Sequence, residues 1–181
     1  ECMVALNLSA LQFKRSNLEE VVSRALLESG LPARCLELEL TESILIGDSE
    51  CTLARMARLK ASGVNLTMDD FGTGYSNLSY LSSFAFDKLK IDQCFIRRML
   101  QSEEQLMIVK TIIQLAQNLQ LNLIAEGIET PLQLKMLQEM GCTSGQGYLF
   151  ARPMPATQVR DLVRDNQQAI RLGIAAKSIK P

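Results

Sequence analysis

The stretch Leu36-Glu37-Leu38-Glu39-Leu40 alternates apolar and charged residues without a break. In an extended chain its three leucines face one way and its two glutamates the other. Short strand-like runs recur along the sequence at Met3–Leu8, Leu36–Leu40, Val64–Met68, Lys88–Ile91, Leu121–Ala125 and Gln146–Phe150. Between them lie segments of helical period. Alternation of β and α segments means parallel strands with helices outside. Two architectures fit, an open doubly wound sheet and a (β/α)8 barrel. A fully covered open sheet calls for near-continuous apolar strands. Here polar residues recur near the strand C-termini: Asn7, Glu39, Asp69, Lys90 and Glu126, with Gln146 near a strand start or loop. A barrel accounts for them, with leucines against the helix ring and carboxylates in the lumen, whose C-terminal mouth carries the active site.

The helices carry their own punctuation. Asn17 with Glu20 predicts an N-terminal cap, and Gly30 and Pro32 stop that helix. Further helices are expected over Thr52–Ser62, Glu103–Leu119, from a Thr130 cap with Pro131 and Gln133 to Gly141, and over Ala156–Arg164. Six strands fall short of the eight of a barrel, and such barrels run to about 250 residues, roughly 70 more than here. The expected fold is therefore α/β, a (β/α)8 TIM-type barrel lacking its N-terminal one or two βα units. Residues 1–164 form the barrel portion and residues 165–181 a peripheral helix or linker tail.

Composition narrows the chemistry. The 181 residues include 47% apolar and 22% charged side chains, an ordinary globular balance, with net charge −1. That charge gives no field of the kind that draws a nucleic-acid polymer. There is no histidine, so Ser-His-Asp and Cys-His catalysis and His-ligated metals are excluded. Five cysteines without a C-x-x-C read as reduced thiols of a cytoplasmic domain. No apolar run reaches the length of a membrane span, and no signal peptide is evident.

The oxygen-bearing residues Asn7, Glu39, Asp69, Asp70, Glu126 and Glu129 stand out. Hard oxygen donors without His or Cys select Mg²⁺, Mn²⁺ or Ca²⁺. Adjacent aspartates at a strand end repel unless a cation lies between them. Two divalent ions are the usual apparatus of phosphodiester hydrolysis. The alternative is a set of solvated strand-end carboxylates, some of them capping helices. Arg97 and Arg98 read as a solvated helix face, and Asp92 as a site support or a helix cap. Tyr75, Tyr80 and Tyr148 are candidates for base stacking or for plain packing.

The segment Asp69-Asp70-Phe71-Gly72-Thr73-Gly74-Tyr75-Ser76 resembles the signature loop of EAL-domain cyclic di-GMP phosphodiesterases. So do Asn7-Leu8-Ser9, Glu39-Leu40-Thr41-Glu42, Lys88-Leu89-Lys90-Ile91-Asp92, Ala125-Glu126-Gly127-Ile128-Glu129-Thr130 and Gln146-Gly147-Tyr148-Leu149-Phe150 with Pro153 and Pro155. The resemblance implies a metal-dependent enzyme that opens cyclic di-GMP to linear pGpG with two divalent ions, Mg²⁺ or Mn²⁺. Asn7, Glu39 and Asp69 match ligands of one ion, and Asp69, Asp70 and Glu126 those of the second. Lys90 matches the lysine at the hydrolytic water. Glu129 and Gln146 match supports of the metal–water network, and Glu42 the anchor of the loop after the aspartates. In that loop Gly72, Thr73, Gly74 and Tyr75 belong to a segment that couples a homodimer to metal binding. The resemblance also implies fusion to GGDEF or sensor domains in a parent that is free or membrane-anchored. The Glu-Ala-Leu motif's glutamate and a nearby arginine are not in this sequence. That leaves, beside the enzyme, a non-hydrolytic cyclic di-GMP-binding or protein-interaction module, or an inactive fragment.

Overall fold

A computed structural model describes residues 3–15, 17–45, 49–72 and 84–171. Its strands are β1 (Val4–Leu8), β2 (Leu36–Thr41), β3 (Asn65–Phe71), β4 (Lys88–Ile91), β5 (Asn122–Ala125) and β6 (Ser144–Gly145). They form one sheet in the order β1-β2-β3-β4-β5-β6, and every neighbouring pair is parallel. The helices are α1 (Ala10–Phe13), α2 (Leu18–Ser29), α3 (Ser49–Ala61), α4 (Gln93–Arg98), α5 (Glu103–Asn118), α6 (Pro131–Glu139) and α7 (Ala156–Arg171). Sequential parallel order with a connection between each pair is the wiring of the expected α/β barrel class.

The Leu-Glu alternation of β2 works as its pattern demands. Leu36, Leu38 and Leu40 join one apolar cluster with Leu66 and Met68 of β3, Leu89 and Ile91 of β4, and Met56, Leu59, Val109 and Ile113 of the helices. Truncating a fully buried member such as Ile113 to Ala costs about 2–5 kcal/mol. Glu37 and Glu39 lie on the opposite face and are nonetheless buried. Glu37 accepts from Thr67 Oγ1 at 2.6 Å and pairs with Lys88, so this lower tier of the polar face is neutralised within itself. At the strand starts Asp87 binds Lys60 through both oxygens at 2.7 Å and accepts the Leu66 N–H, which ties α3, β3 and β4 together.

Several boundaries depart from the sequence reading. The sixth strand is Ser144–Gly145, and Gln146–Phe150 is a turn rather than a strand. That turn wraps the backbone of Ile128, whose N–H donates to the Gln146 carbonyl while its carbonyl accepts from Leu149. A Cβ on Gly147 would lie 2.2 Å from the Ile128 oxygen, so only glycine permits the approach. Asn17 stands at the start of α2 but its side chain makes no capping bond, whereas Gly30 does end that helix in the left-handed region at φ 67°. The box of Thr130 and Gln133 on α6 is made in full. The short helices α1 and α4 have too few residues to show a period. The last helix continues to Arg171, through the tail expected from residue 165. None of Cys35, Cys51, Cys94 and Cys142 is in a disulfide, and Cys35 and Cys142 are buried. Among the described residues no helix is long and apolar enough to cross a membrane.

Candidate active site

Each strand, or the residue just past it, brings polar side chains to the same end of the sheet. Lys90, on β4, is 4% exposed. Its Nζ lies 2.6 Å from Glu126 Oε1, 2.9 Å from Glu39 Oε1 and 3.0 Å from Asp69 Oδ1. Glu39 and Asp69 sit on β2 and β3, and Glu126 directly follows β5. Asn7 on β1, its amide nitrogen turned to the acids, donates to Glu39 Oε2 and Asp69 Oδ2 at 3.2 Å each. Gln146, just past β6, donates from Nε2 to Glu126 Oε1 at 2.6 Å. The strand-end polar residues singled out in the sequence, Asn7, Glu39, Asp69, Lys90, Glu126 and Gln146, therefore converge on one cage.

Alternation along β3 sends the Asp69 and Asp70 side chains to opposite faces. A β-bulge overrides it. Met68 is level with Leu89 and Phe71 with Ile91, so two residues of β3 oppose Lys90 alone. Asp70 takes up the slack at φ 54°, a left-handed conformation that aspartate tolerates better than most residues. The result is that carboxylate oxygens of Asp69, Asp70 and Glu126 lie within 4.8 Å of one another.

Burial works against the Lys90 charge, but hydrogen bonds to Glu126, Glu39 and Asp69 outweigh it and hold the ammonium well above the usual lysine range. Burial pushes the Glu126 carboxyl up, and the charges of Asp69 and Glu39 add to that against the pull of Lys90. Burial likewise raises Asp70, helped by Asp69 and Asp92. Asp92 is drawn below the usual range because its bonds to Cys94 and Asp70 overcome burial. It caps α4 through Cys94 N–H at 2.8 Å and also shares a hydrogen bond with Asp70. It is thus the cap of α4 and a neighbour of Asp70. Burial and the neighbouring Asp92 push the Cys94 thiol up to about 11, which keeps it unreactive at neutral pH.

Beside the cage opens a cleft of about 580 Å³. Glu126, Gln146, Glu129, Arg97, Tyr148 and Arg152 are among its walls. Arg152 lies over the Tyr148 ring, 4.7 Å from its centroid. Arg97 lies on an exposed helix face, as expected, and there its Nη2 and Nε meet Glu129 Oε1 at 3.2 Å. Glu129 itself stands at the rim of the cleft and does not touch Lys90. Glu42 lies half-buried in the single 3₁₀ turn after β2, which packs beside β3. Gly72 follows β3 against the ring of Phe95. Thr73, Gly74, Tyr75 and Tyr80 lie outside the described residues. No pattern in the sequence marks Arg152, whose partner Tyr148 is four residues away across a turn of no regular period.

The donor set fits a divalent cation. Around the one ammonium of Lys90 stand Glu39, Asp69 and Glu126, with Asp70 beside them, so negative charge is in excess in a confined space. All the available donors are oxygens, which suits Mg²⁺, Mn²⁺ or Ca²⁺ and no soft metal.

The description "EAL domain" belongs to the family model that matches residues 1–153. The chain is 44% identical over 161 residues to the cyclic di-GMP phosphodiesterase NbdA of Pseudomonas aeruginosa, covering 89% of this chain and 21% of that protein. The chain therefore spans about a fifth of the length of that curated relative. The structure of PaMucR phosphodiesterase in complex with c-di-GMP superposes with a TM-score of 0.83 at 43% identity, covering 87% of this chain and 64% of that one. Klebsiella pneumoniae BlrP1, solved as a manganese and cy-diGMP complex, gives a TM-score of 0.77 at 32% identity, over 83% of this chain and 39% of that one.

Proposed function

The chain belongs to the EAL domain family, and from that premise we propose that it forms the hydrolytic site of a cyclic di-GMP phosphodiesterase, opening its substrate to linear pGpG. The observation that carries this reading is the Lys90 ammonium held by three carboxylates at the edge of a cleft furnished with Arg97 and Arg152. Relatives named as cyclic di-GMP phosphodiesterases, and neighbours solved with that dinucleotide, support it.

Glu39, Asp69, Asp70 and Glu126 would hold two divalent ions, Mg²⁺ or Mn²⁺, with Asn7 joining through Oδ1 once its amide turns from the acids to the cation. Bound there, such ions lower the pKa of water and absorb charge on phosphoryl oxygens. Lys90 fixes the spacing of the acids and presents a proton donor where phosphoryl charge grows. Gln146 holds Glu126 in place. Arg97 and Arg152 supply cations for the second phosphate across the cleft, and Tyr148 a ring for a base. Water adds to phosphorus, the ester P–O bond opens, and the released sugar oxygen takes up the proton.

Glu129, Glu42, Asp92 and the loop with Gly72, Thr73, Gly74 and Tyr75 are assigned supporting roles, the loop linking the site to a homodimer. Residues 1–164 serve as the EAL portion and 165–181 as its tail, in a cytoplasmic module of a parent that also carries GGDEF or sensor domains.

The test is incubation with cyclic di-GMP and Mn²⁺, with products separated by ion exchange. The expected result is pGpG from the chain, or from a version extended upstream, and none from Glu126→Gln. Tight binding of the dinucleotide without product from the extended version would replace hydrolysis by a binding role.

A further inference from the structure

Gln133, the third residue of α6, is only 5% exposed, yet both ends of its amide are hydrogen-bonded. Its Oε1 accepts from the N–H groups of Glu129 and Thr130, both at 2.9 Å. Its Nε2 donates to the Ile96 carbonyl of α4 at 3.1 Å. Its own N–H is taken by Thr130 Oγ1 at 3.2 Å. A capping box needs only the exchange with Thr130. The bonds to Glu129 and Ile96 go beyond it, and they tie the loop after β5 to α4.

The same loop meets α4 a second time. Gly127 stands at φ 70°, and a Cβ there would come within 2.6 Å of Gln93 Cβ. Glu126 begins the loop, and its N–H donates to Ile91 at 3.1 Å. The other end of α4 is Asp92, which bonds Asp70. Arg97, next to Ile96, pairs with Glu129. The short helix α4 is thus a common frame for Asp70 on one side and Glu126 and Glu129 on the other.

We propose that Gln133 is a positioning residue for Glu126 and Glu129: by fastening residues 126–130 to α4, it sets where the Glu126 carboxylate stands relative to Lys90 and Asp70. This rests on the metal-site reading above. It goes beyond that reading in placing part of the control of the site on a buried amide that touches neither cation nor substrate.

Three variants of the full chain separate the roles. Gln133→Leu removes every bond of the side chain. Gln133→Glu keeps acceptors for the Glu129 and Thr130 N–H groups but sets a carboxylate against the Ile96 carbonyl, which breaks the link to α4. Thr130→Ala removes the other half of the box and leaves that link alone. Mn²⁺ binding is measured by titration calorimetry, with thermal melts to show folding. Both Gln133 variants are expected to weaken Mn²⁺ about tenfold, the low end for residues that orient metal ligands. Thr130→Ala should bind as the unaltered chain does. Wild-type affinity in Gln133→Glu, or an equal loss in Thr130→Ala, overturns the inference. If the unaltered chain takes up no Mn²⁺, the metal-site reading falls by itself, and amide exchange decides. Faster exchange at Glu126 and Ile128 in Gln133→Glu than in Thr130→Ala upholds the link, and equal exchange refutes it.

Discussion

Lys90 Nζ and Glu126 Oε1 stand 2.6 Å apart, nearer than Lys90 stands to either Glu39 or Asp69, although Glu126 lies beyond the end of the adjacent strand. Lys90 is buried and Glu126 half-buried, and removal of one member of such a pair leaves an uncompensated charge. Lys90→Met should destabilise the chain by about 3–5 kcal/mol in EDTA, as read by urea denaturation. Part of the loss should return with Mn²⁺, which replaces the missing positive charge. Unchanged stability in EDTA would refute the account. The lysine's pKa is raised on folding, so its contribution is complete below the unfolded value, about 10.4, and fades only as pH climbs through the folded one. The gap between wild type and variant should therefore be flat from neutrality to mild alkali.

Asp70 makes two separable contributions, a backbone conformation and a charge. Asn tolerates φ 54° as Asp does, whereas a β-branched residue does not. Asp70→Asn should keep the melting temperature and lose Mn²⁺ affinity. Asp70→Val should in addition cost about 1–2 kcal/mol, the usual penalty of the left-handed region. Equal stability of the two variants would count against the bulge as the device that aims this side chain.

The raised carboxyls give a pH signature. Asp70 and Glu126 bind protons more tightly in the folded chain than in the unfolded one. Their contribution to stability is therefore present at low pH and falls as pH rises through the carboxylate range up to the folded values. A divalent cation needs the same groups deprotonated. The rise in melting temperature on adding Mn²⁺ should accordingly be larger at pH 8 than at pH 5. A stabilisation that does not vary with pH would show that these acids are not the ligands.

Gln146 reaches Glu126 from a turn, not from a strand. Gln146→Ala should lower Mn²⁺ affinity about tenfold while leaving the fold intact, as loss of a ligand's hydrogen-bond partner commonly does. Gly147→Ala should do more, because the added methyl meets the Ile128 backbone at 2.2 Å and displaces the whole turn. Circular dichroism melts and Mn²⁺ titration of both variants check the order.

The fold class was legible because one strand wears its two faces openly. Leu36, Leu38 and Leu40 against Glu37 and Glu39 cannot be read as a helix, and buried acids exclude a plain open sheet. Asn7, Glu39, Asp69, Lys90 and Glu126 were legible for the same reason, since each is a polar residue near the end of a strand-like run, whereas Gln146 follows a polar, glycine-rich stretch. What escaped the sequence depends on contacts between distant segments. Arg97 looks like any exposed helix cation until Glu129 is folded against it. The turn at Gln146–Phe150 has the residues of a strand, and only the packing of Gly147 on Ile128 denies it that form. Gln133 announced its local cap, but nothing in the spacing shows its bond to Ile96.

The one-strand-after-another order of the sheet has a consequence for how the molecule matures. The residues around Lys90 are spread along nearly the full length of the described chain, from Asn7 to Gln146, and none of them is held in place by its near neighbours in sequence alone. Contacts between such remote positions are the slowest to form, because each must first close a long loop. Capacity to hold a cation should thus appear late, after the apolar cluster has consolidated. On the ribosome, a growing chain whose α6 has yet to emerge has no closed cage. Cation uptake can serve as a clock that marks completion of the sheet.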